Sequence, residues 1–595
     1  MPHLLKFVTV SICCLLFSVF SSACQAVIIV NNQAEFDGLQ EKLTSTIKAG
    51  KKNICVSLLP GTYVAKEKHL TLKDIEATDT KIRIVGKNAI LVPSGREYHD
   101  GETYQGTFSV GNSWMNGTKD VEIWSYVQYA DGQVEVLDVE EKYCRIKSKD
   151  IFPVHTDFSN AYILIPHWYQ SSVYKIDKID GAYIYFTADD LKTSSYGGYN
   201  VNDDYNYGKK EIRYKLCNVE TGKDVFCIID GEVRLPSGVT YVWEGRTRNF
   251  LTIKNCKFSS VDIKGIQFLG NAFEESNPAI YIRNTVSKKI RIHKCGFYGM
   301  RGSIISVSAS PNVTIDNNCF EDGYHYGIWS NNESANTVVE KNNFKSMGKR
   351  MHNTPYVGCQ GTNYRISDNV FLNFGYGGIR TGVWYKNKMK QLCIGVIENN
   401  DFSYNQEYID HIDNYGIMDG GAIYLATKNV GSIVRYNYIH GFSGIKHNRG
   451  IFCDDGASNI EVYGNIITGI ANSMCIDSRR VTFVERSNTP ESGIDKANVN
   501  IVIRNNIVDG IVRFEAYENS DNGCVKGANY ILLAKGDKRP KMSIKNVANQ
   551  EDDIVLEYTG VKNEKIGISS ESYHLMKRTK IWHSVHSHIV KNPAI

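Results

Sequence analysis

The sequence predicts an all-β fold, a right-handed parallel β-helix, and three observations carry that reading. One short pattern recurs: an aliphatic residue, two polar residues often including Asn, and an apolar residue five places on. It appears as IKNCKF (253–258), IHKCGF (292–297), IDNNCF (315–320), VEKNNF (339–344), ISDNVF (366–371), IENNDF (397–402), VRYNYI (434–439), VYGNII (462–467) and IRNNIV (503–508). The copies end at 258, 297, 320, 344, 371, 402, 439, 467 and 508, so the shortest intervals are in the low twenties and others are lengthened. Such a base period is the signature of a stacked solenoid. Finally, the 50 Gly and 36 Tyr, together with abundant Asn, Ile and Val, favour strands and turns over helices.

The elements follow in chain order. MPHLLK carries positive charge, and FVTVSICCLLFSVF (7–20) is an apolar run too short to span a bilayer comfortably. Small residues follow in SSAC (21–24) and ACQA (23–26), as at an export cleavage site, so residues 1–23 are expected to be a signal peptide. Cys24 after Ser-Ser-Ala is also placed like a bacterial lipoprotein cysteine, although Ser21 stands where an aliphatic residue is usual. Lipidation of Cys24, and with it membrane attachment, stays open beside simple cleavage. The expected location is the periplasm or outer-membrane surface of a Gram-negative bacterium. No later segment is apolar enough to cross a membrane.

Residues 24–95 read as a short helix that caps the open end of the solenoid, followed by its first strands and a PGTY turn. Without a cap that end would expose unpaired strand edges. Residues 96–245 lose the period. They contain VEVLDVEEKYCRIKS, YILIPHW and IDGAYIYFTADDL, which alternate as antiparallel strands do, and predict an inserted β domain. Residues 246–520 form the β-helix body. Within it, Gly-led strands such as GIWS (327–330), GIRT (378–381), GAIYLA (421–426) and GIFC (450–453) lie between the repeat motifs. Two or three short strands per period, without helices, make one coil. Asn at a fixed place suits a left-handed turn between strands, where its amide can bond along the stack. Cys256, Cys295 and Cys319 fall at or beside that turn and read as small packed side chains, not metal ligands. Residues 521–595 carry a weaker β signal.

Sixty-eight Lys and Arg against 64 Asp and Glu leave a formal charge of +4, so there is no electrostatic case for nucleic acid. Ionisable and aromatic residues instead concentrate between 350 and 480, on lengthened coils. Acids, bases and aromatic rings on one stretch of a solenoid suit a sugar-binding cleft, with carboxylates for proton and nucleophile work. The candidate catalytic residues are Asp419, Asp454 and Asp455. Arg380, His440, His447, Arg449 and Tyr424 are candidate substrate contacts.

In GIFCDDG, inward Ile451 and Cys453 would leave Phe452 and Asp454 facing outward. Pairing Gly416 with Gly450 would bring Asp419 beside Asp454, within the span of a glycosidase carboxylate pair. Pairing Gly421 with Gly450 would instead put Asp419 before its strand and Asp454 after its own, too far apart. Each acid also has a plain reading as a turn cap before Gly.

From about residue 340 to 510 the chain resembles the β-helix glycoside hydrolases typified by α-L-fucosidases and xylanases of gut-type bacteria. DGGAIY (419–424), IVRYNYIHG (433–441), GIFCDDGASNIEVYGN (450–465) and IRNNIV (503–508) carry the likeness. Cys453 departs from it, standing where Leu is common. The resemblance implies hydrolysis of glycosidic bonds in a complex polysaccharide by two aspartates on neighbouring coils: Asp419 with Asp454 or Asp455. No cofactor is expected for that reaction. A polysaccharide lyase acting on a uronate-containing glycan is the runner-up, with a Lys, Arg, His or Tyr base and Ca²⁺ as its expected ion. A non-catalytic adhesion solenoid is the third reading.

Overall fold

The alternation of apolar and polar residues becomes a solenoid of short parallel strands. The computed structural model describes residues 24–66, 68–93, 249–270, 278–345, 355–382, 393–405, 420–426, 431–441, 448–454, 457–469, 474–478, 500–516 and 522–558, short gaps aside, together with separate strands between 97 and 243. Each coil contributes two strands to a 25-stranded sheet and one to a 12-stranded second sheet. In one coil, Val313–Asp316 and Cys319–Glu321 lie in the large sheet and Ile328–Ser330 in the second. Equivalent residues of successive coils stand opposite one another, as Ile290, Val313 and Ile292, Ile315 do. The fold is a right-handed parallel β-helix.

Three stacks hold the interior together. Ile and Val from each strand line the core and are almost wholly buried. Phe268, Phe297, Phe320, Phe344, Phe371 and Phe402 form a column with centroid separations of 4.8, 4.9, 4.6, 4.9 and 4.7 Å. The column gives way to Ile439 on the next coil, opposite Phe402. The third stack is a ladder of Asn amides. Asn318, Asn342, Asn369, Asn400, Asn437, Asn465 and Asn506 each pass a hydrogen bond along the chain of coils, Nδ2 to the next Oδ1 at 2.9–3.0 Å, and Asn529 receives the last. Each receiving oxygen also accepts the backbone N–H of the preceding Asn, as Asn437 does from Asn400 at 3.1 Å. Buried amides are therefore satisfied at a turn where the strand ladder cannot reach.

The residue before each of these Asn except Asn529 adopts the left-handed conformation, with φ of 55° at Asn317, 56° at Lys341, 57° at Asp368 and 56° at Asn399. The two polar positions of the motif thus do different work. The first makes the turn and the second is the buried rung.

At the N-terminal end, helix α1 (Gln33–Asp37) and helix α2 (Leu39–Lys48) lie over the first coil. Asn32 caps α1 by accepting the Glu35 N–H. Phe36, Leu39, Leu43 and Ile47 face the core at helical spacing and are buried. Cys24 is disulfide-bonded to Cys55, joining the segment ahead of the first strand (Ala26–Val30) to its neighbour (Asn53–Leu58). One sulfur cannot carry both a disulfide and a thioether-linked lipid, so the lipidated and the disulfide-bonded forms of Cys24 are alternatives. Cys256 and Cys295 are buried thiols and Cys319 is half-buried. Burial pushes the Cys295 thiol up to about 12.

The chain leaves the solenoid through two antiparallel ribbons, Glu97–Tyr98 with Val242–Trp243 and Thr103–Gly106 with Gly231–Arg234. Between them, residues 128–217 contribute a seven-stranded antiparallel sheet. Past residue 520 the solenoid continues: Val525–Lys526, Tyr530–Ala534, Asn549–Gln550 and Ile554–Tyr558 add parallel rungs to the large sheet. The motif is obscured there because Asp553 replaces the rung Asn, accepting the Asn529 N–H at 3.0 Å. Its charge is met by buried Lys526 at 2.5 Å.

Candidate functional site on the second sheet

The outward face of the second sheet is built from one strand of each coil. Gly377–Thr381, Gly420–Ala426, Asn448–Asp454, Met474–Ser478 and Ile511–Glu515 run side by side. Ile379, Ile423, Ile451, Ile476 and Val512 face the core. The residues after them, Arg380, Tyr424, Phe452, Asp477 and Arg513, therefore form one outward row.

Tyr424 and Phe452 meet edge to face with centroids 5.0 Å apart, in a buried cluster separate from the main core. The Arg380 guanidinium lies 5.8 Å from the Tyr424 ring centroid. That of Arg449 lies 4.0 Å from the Phe452 centroid. Both separations are within the range of cation–π attraction. Asp477 is fully buried and is held by two cations. Arg449 Nε donates to its Oδ2 at 2.5 Å, while Arg513 donates through Nε at 2.7 Å and Nη2 at 2.6 Å. This buried Arg–Asp–Arg group locks three adjacent coils on one face.

Asp454 is the last residue of its strand and is half-buried. Its Oδ2 accepts the Tyr424 hydroxyl at 3.0 Å, a bond between neighbouring coils. Its carbonyl accepts the Ala457 N–H at 3.0 Å, so the same residue also closes the turn. At Asp454 the backbone carbonyl and the carboxylate thus take separate partners, Ala457 and Tyr424.

Of the two glycine pairings open in the sequence, neither occurs as written, and the Gly421 alternative is offset by one residue. Gly421 stands opposite Arg449 and Ile423 opposite Ile451, so Gly450 faces Ala422 and the Gly416–Gly450 pairing does not occur. Gly420 pairs with Asn448, whereas Asp454 pairs with Ala426. Those two rungs are six residues apart along the strand, about 20 Å. Gly420 is thus remote from Asp454, the separation that the Gly421 pairing implied. Asp419, Asp455 and His447 themselves lie outside the described residues.

Of the other candidates, Arg380, Tyr424 and Arg449 are brought to the same face as Asp454. Arg449 was expected to touch substrate; its side chain is only 12% exposed and engages Asp477. His440 is a different case. It follows Tyr438–Ile439 in the large sheet, where a ring nitrogen lies 3.0 Å from Asp401 Oδ1 and the ring stacks 4.1 Å from Tyr438. It is therefore not part of the row bearing Tyr424. Arg513 and Asp401 escaped sequence reasoning because their partners are 36 and 39 residues away. Among the described residues, no three His, Cys, Asp or Glu side chains gather as metal ligands.

Residues 237–391 match the family model described as the right handed beta helix region. No curated protein matches the sequence. Among solved structures, the chain is similar to one described as a glycoside hydrolase, at 10% identity over 92% of this chain and 100% of that one, with a TM-score of 0.40. It is also similar to XylC in complex with xylose, at 10% identity over 86% and 82% of the two chains, TM-score 0.37. A third is the Streptococcus pneumoniae surface protein and adhesin PfbA, at 12% identity over 89% and 96%, TM-score 0.32.

Proposed function

We propose that this chain is an exported carbohydrate-active enzyme that hydrolyses glycosidic bonds on the outward face of the second sheet. The observation that carries the reading is the Tyr424–Asp454 hydrogen bond at 3.0 Å, beside Arg380. A half-buried carboxylate at the end of a strand, hydrogen-bonded by a neutral hydroxyl, is the kind of group a glycosidase uses as acid or base. The proposed partner carboxylate is Asp455. Consecutive Cα atoms are about 3.8 Å apart, which allows side-chain carboxyls to reach the 5–9 Å used by glycosidases. Tyr424 orients Asp454, and Arg380 binds hydroxyl or acidic groups of the glycan. The Cys24–Cys55 disulfide supports the exported location, since such bonds persist in oxidising compartments.

The second reading is β-elimination on a uronate. The adjacency of the Arg380 cation and the Tyr424 ring supports it, because that chemistry pairs a base with a group that neutralises the carboxylate. One assay separates the two. Purified mature protein is incubated with neutral and uronate-containing polysaccharides, and released reducing ends and ultraviolet absorbance are read together. New reducing ends without absorbance, lost in Asp454→Asn and Asp455→Asn, support hydrolysis. Absorbance would recast the chain as a lyase, and full activity in both variants would remove the acids from the chemistry.

A further inference from the structure

On the large sheet, away from the Asp454 row, one turn breaks the rule followed by its neighbours. The left-handed position before the buried rung is Asn255, Lys294, Asn317, Lys341, Asp368, Asn399, Gly464 or Asn505 in other coils. In the coil of Val434 it is Tyr436, with φ of 57°. A bulky aromatic residue is disfavoured in that region, and such outliers persist where the surroundings impose them. The surroundings here are specific. A Cβ on Gly464, the equivalent position one coil on, would fall 2.6 Å from Tyr436 Cε1, so the glycine makes room for the ring.

Tyr463 meets Tyr436 edge to face at 5.7 Å. The Arg435 guanidinium lies 5.6 Å from the Tyr436 centroid and donates to the Tyr463 hydroxyl at 2.9 Å and to Glu398 at 2.8 Å. Arg504 lies 5.2 Å from the Tyr463 centroid and 3.9 Å from Glu461. Both tyrosines are half-exposed, and the Arg435 and Arg504 side chains are 33% and 45% exposed. The result is two tyrosine rings framed by two guanidiniums, spread over three coils.

We infer that this cluster is a glycan-binding platform separate from the catalytic face, and that its ligand is a chain of uncharged pyranose sugars. The inference rests on the glycan-processing reading. Tyrosine rings offer faces and edges to the apolar C–H face of a pyranose, and the guanidiniums and carboxylates offer hydrogen bonds to its hydroxyls. Each guanidinium of the cluster lies against a carboxylate, Arg435 and Arg365 sharing Glu398 and Arg504 lying beside Glu461, so none is left aimed at a polyanion.

The test is affinity electrophoresis of the full mature protein in gels containing xylan, dextran or polygalacturonate. Asp454→Asn, Tyr436→Asn and Tyr463→Ala run beside the wild type. Tyr436→Asn installs the residue that other coils use at this turn, so the fold is retained, as thermal unfolding verifies. The expected result is retention by a neutral glycan, weakened at least fivefold in Tyr436→Asn and Tyr463→Ala and unchanged in Asp454→Asn. Equal retention of Tyr436→Asn and wild type overturns the platform, as does retention on polygalacturonate alone or on none of the three. If the wild type is retained through Tyr436 yet cleaves no glycan, the platform stands and the catalytic reading falls.

Discussion

The interior ladder and the outward face of the second sheet obey opposite rules. Inside, each coil repeats the last: Asn over Asn, Phe over Phe, Ile over Ile. Outside, Arg380, Tyr424, Phe452, Asp477 and Arg513 are five neighbours in one row, and only the two arginines share a residue type. Repetition satisfies backbone and packing demands that are the same in every coil. Its loss marks a surface shaped by something other than stacking.

Substitutions sharpen that contrast. The largest expected effect is outside the core. Asp477→Ala leaves Arg449 and Arg513 uncompensated at a buried site, and should destabilise by about 4 kcal/mol. A loss below about 1 kcal/mol in denaturant unfolding would mean that the group is solvated like a surface pair. Inside, Asn437→Ala strands the Asn400 backbone N–H that its oxygen accepts and removes the Asn437 amide's own bonds to Ile397 and Asn465, and should cost about 3 kcal/mol. Similar losses at Asn369 and Asn465 would show that the rungs are equivalent.

The cap adds a dependence on pH that belongs to neither region. His69 stacks 3.8 Å from Phe36 of α1, and its burial lowers its pKa from 6.5 to about 4, despite the raising effect of Asp37. Between those pH values the unfolded chain binds the extra proton, so stability present above pH 6.5 is lost as pH falls toward 4. The expected loss is about 3 kcal/mol. Thermal melts at pH 4.5 and 7 should differ less in His69→Phe, and an unchanged difference would place the acid sensitivity elsewhere. The smallest structural effect is expected for Tyr424→Phe, which removes the bond to Asp454 and should cost about 1 kcal/mol while lowering activity. Unaltered activity would make that bond incidental.

The interior was legible in the sequence because its chemistry recurs. IDNNCF announces both a turn and a stack, although only the structure divides the work between Asn317 and Asn318. The exterior was legible by residue type and not by register. Glycine matching does not give the register, because Gly450 stands opposite Ala422. A Cβ on Gly450 would fall 2.5 Å from the Cys475 carbonyl oxygen, so it is a close approach between coils. Asp477 in MCIDS gives no local sign of its role either, since its arginines come from the coils on both sides. Long-range pairing in a solenoid depends on where each loop leaves and returns, and loop length hides that from a reading of spacing alone.

The central claim is that Asp454 acts on a glycan. Its most direct test is turnover by Asp454→Asn on whichever polysaccharide the wild type cleaves, with folding verified by thermal melting. Asn keeps an acceptor for the Tyr424 hydroxyl but removes the ionisable group, so the account predicts a folded protein with activity reduced at least a hundredfold. A folded variant with wild-type turnover would contradict it and leave Asp454 as the end of a strand.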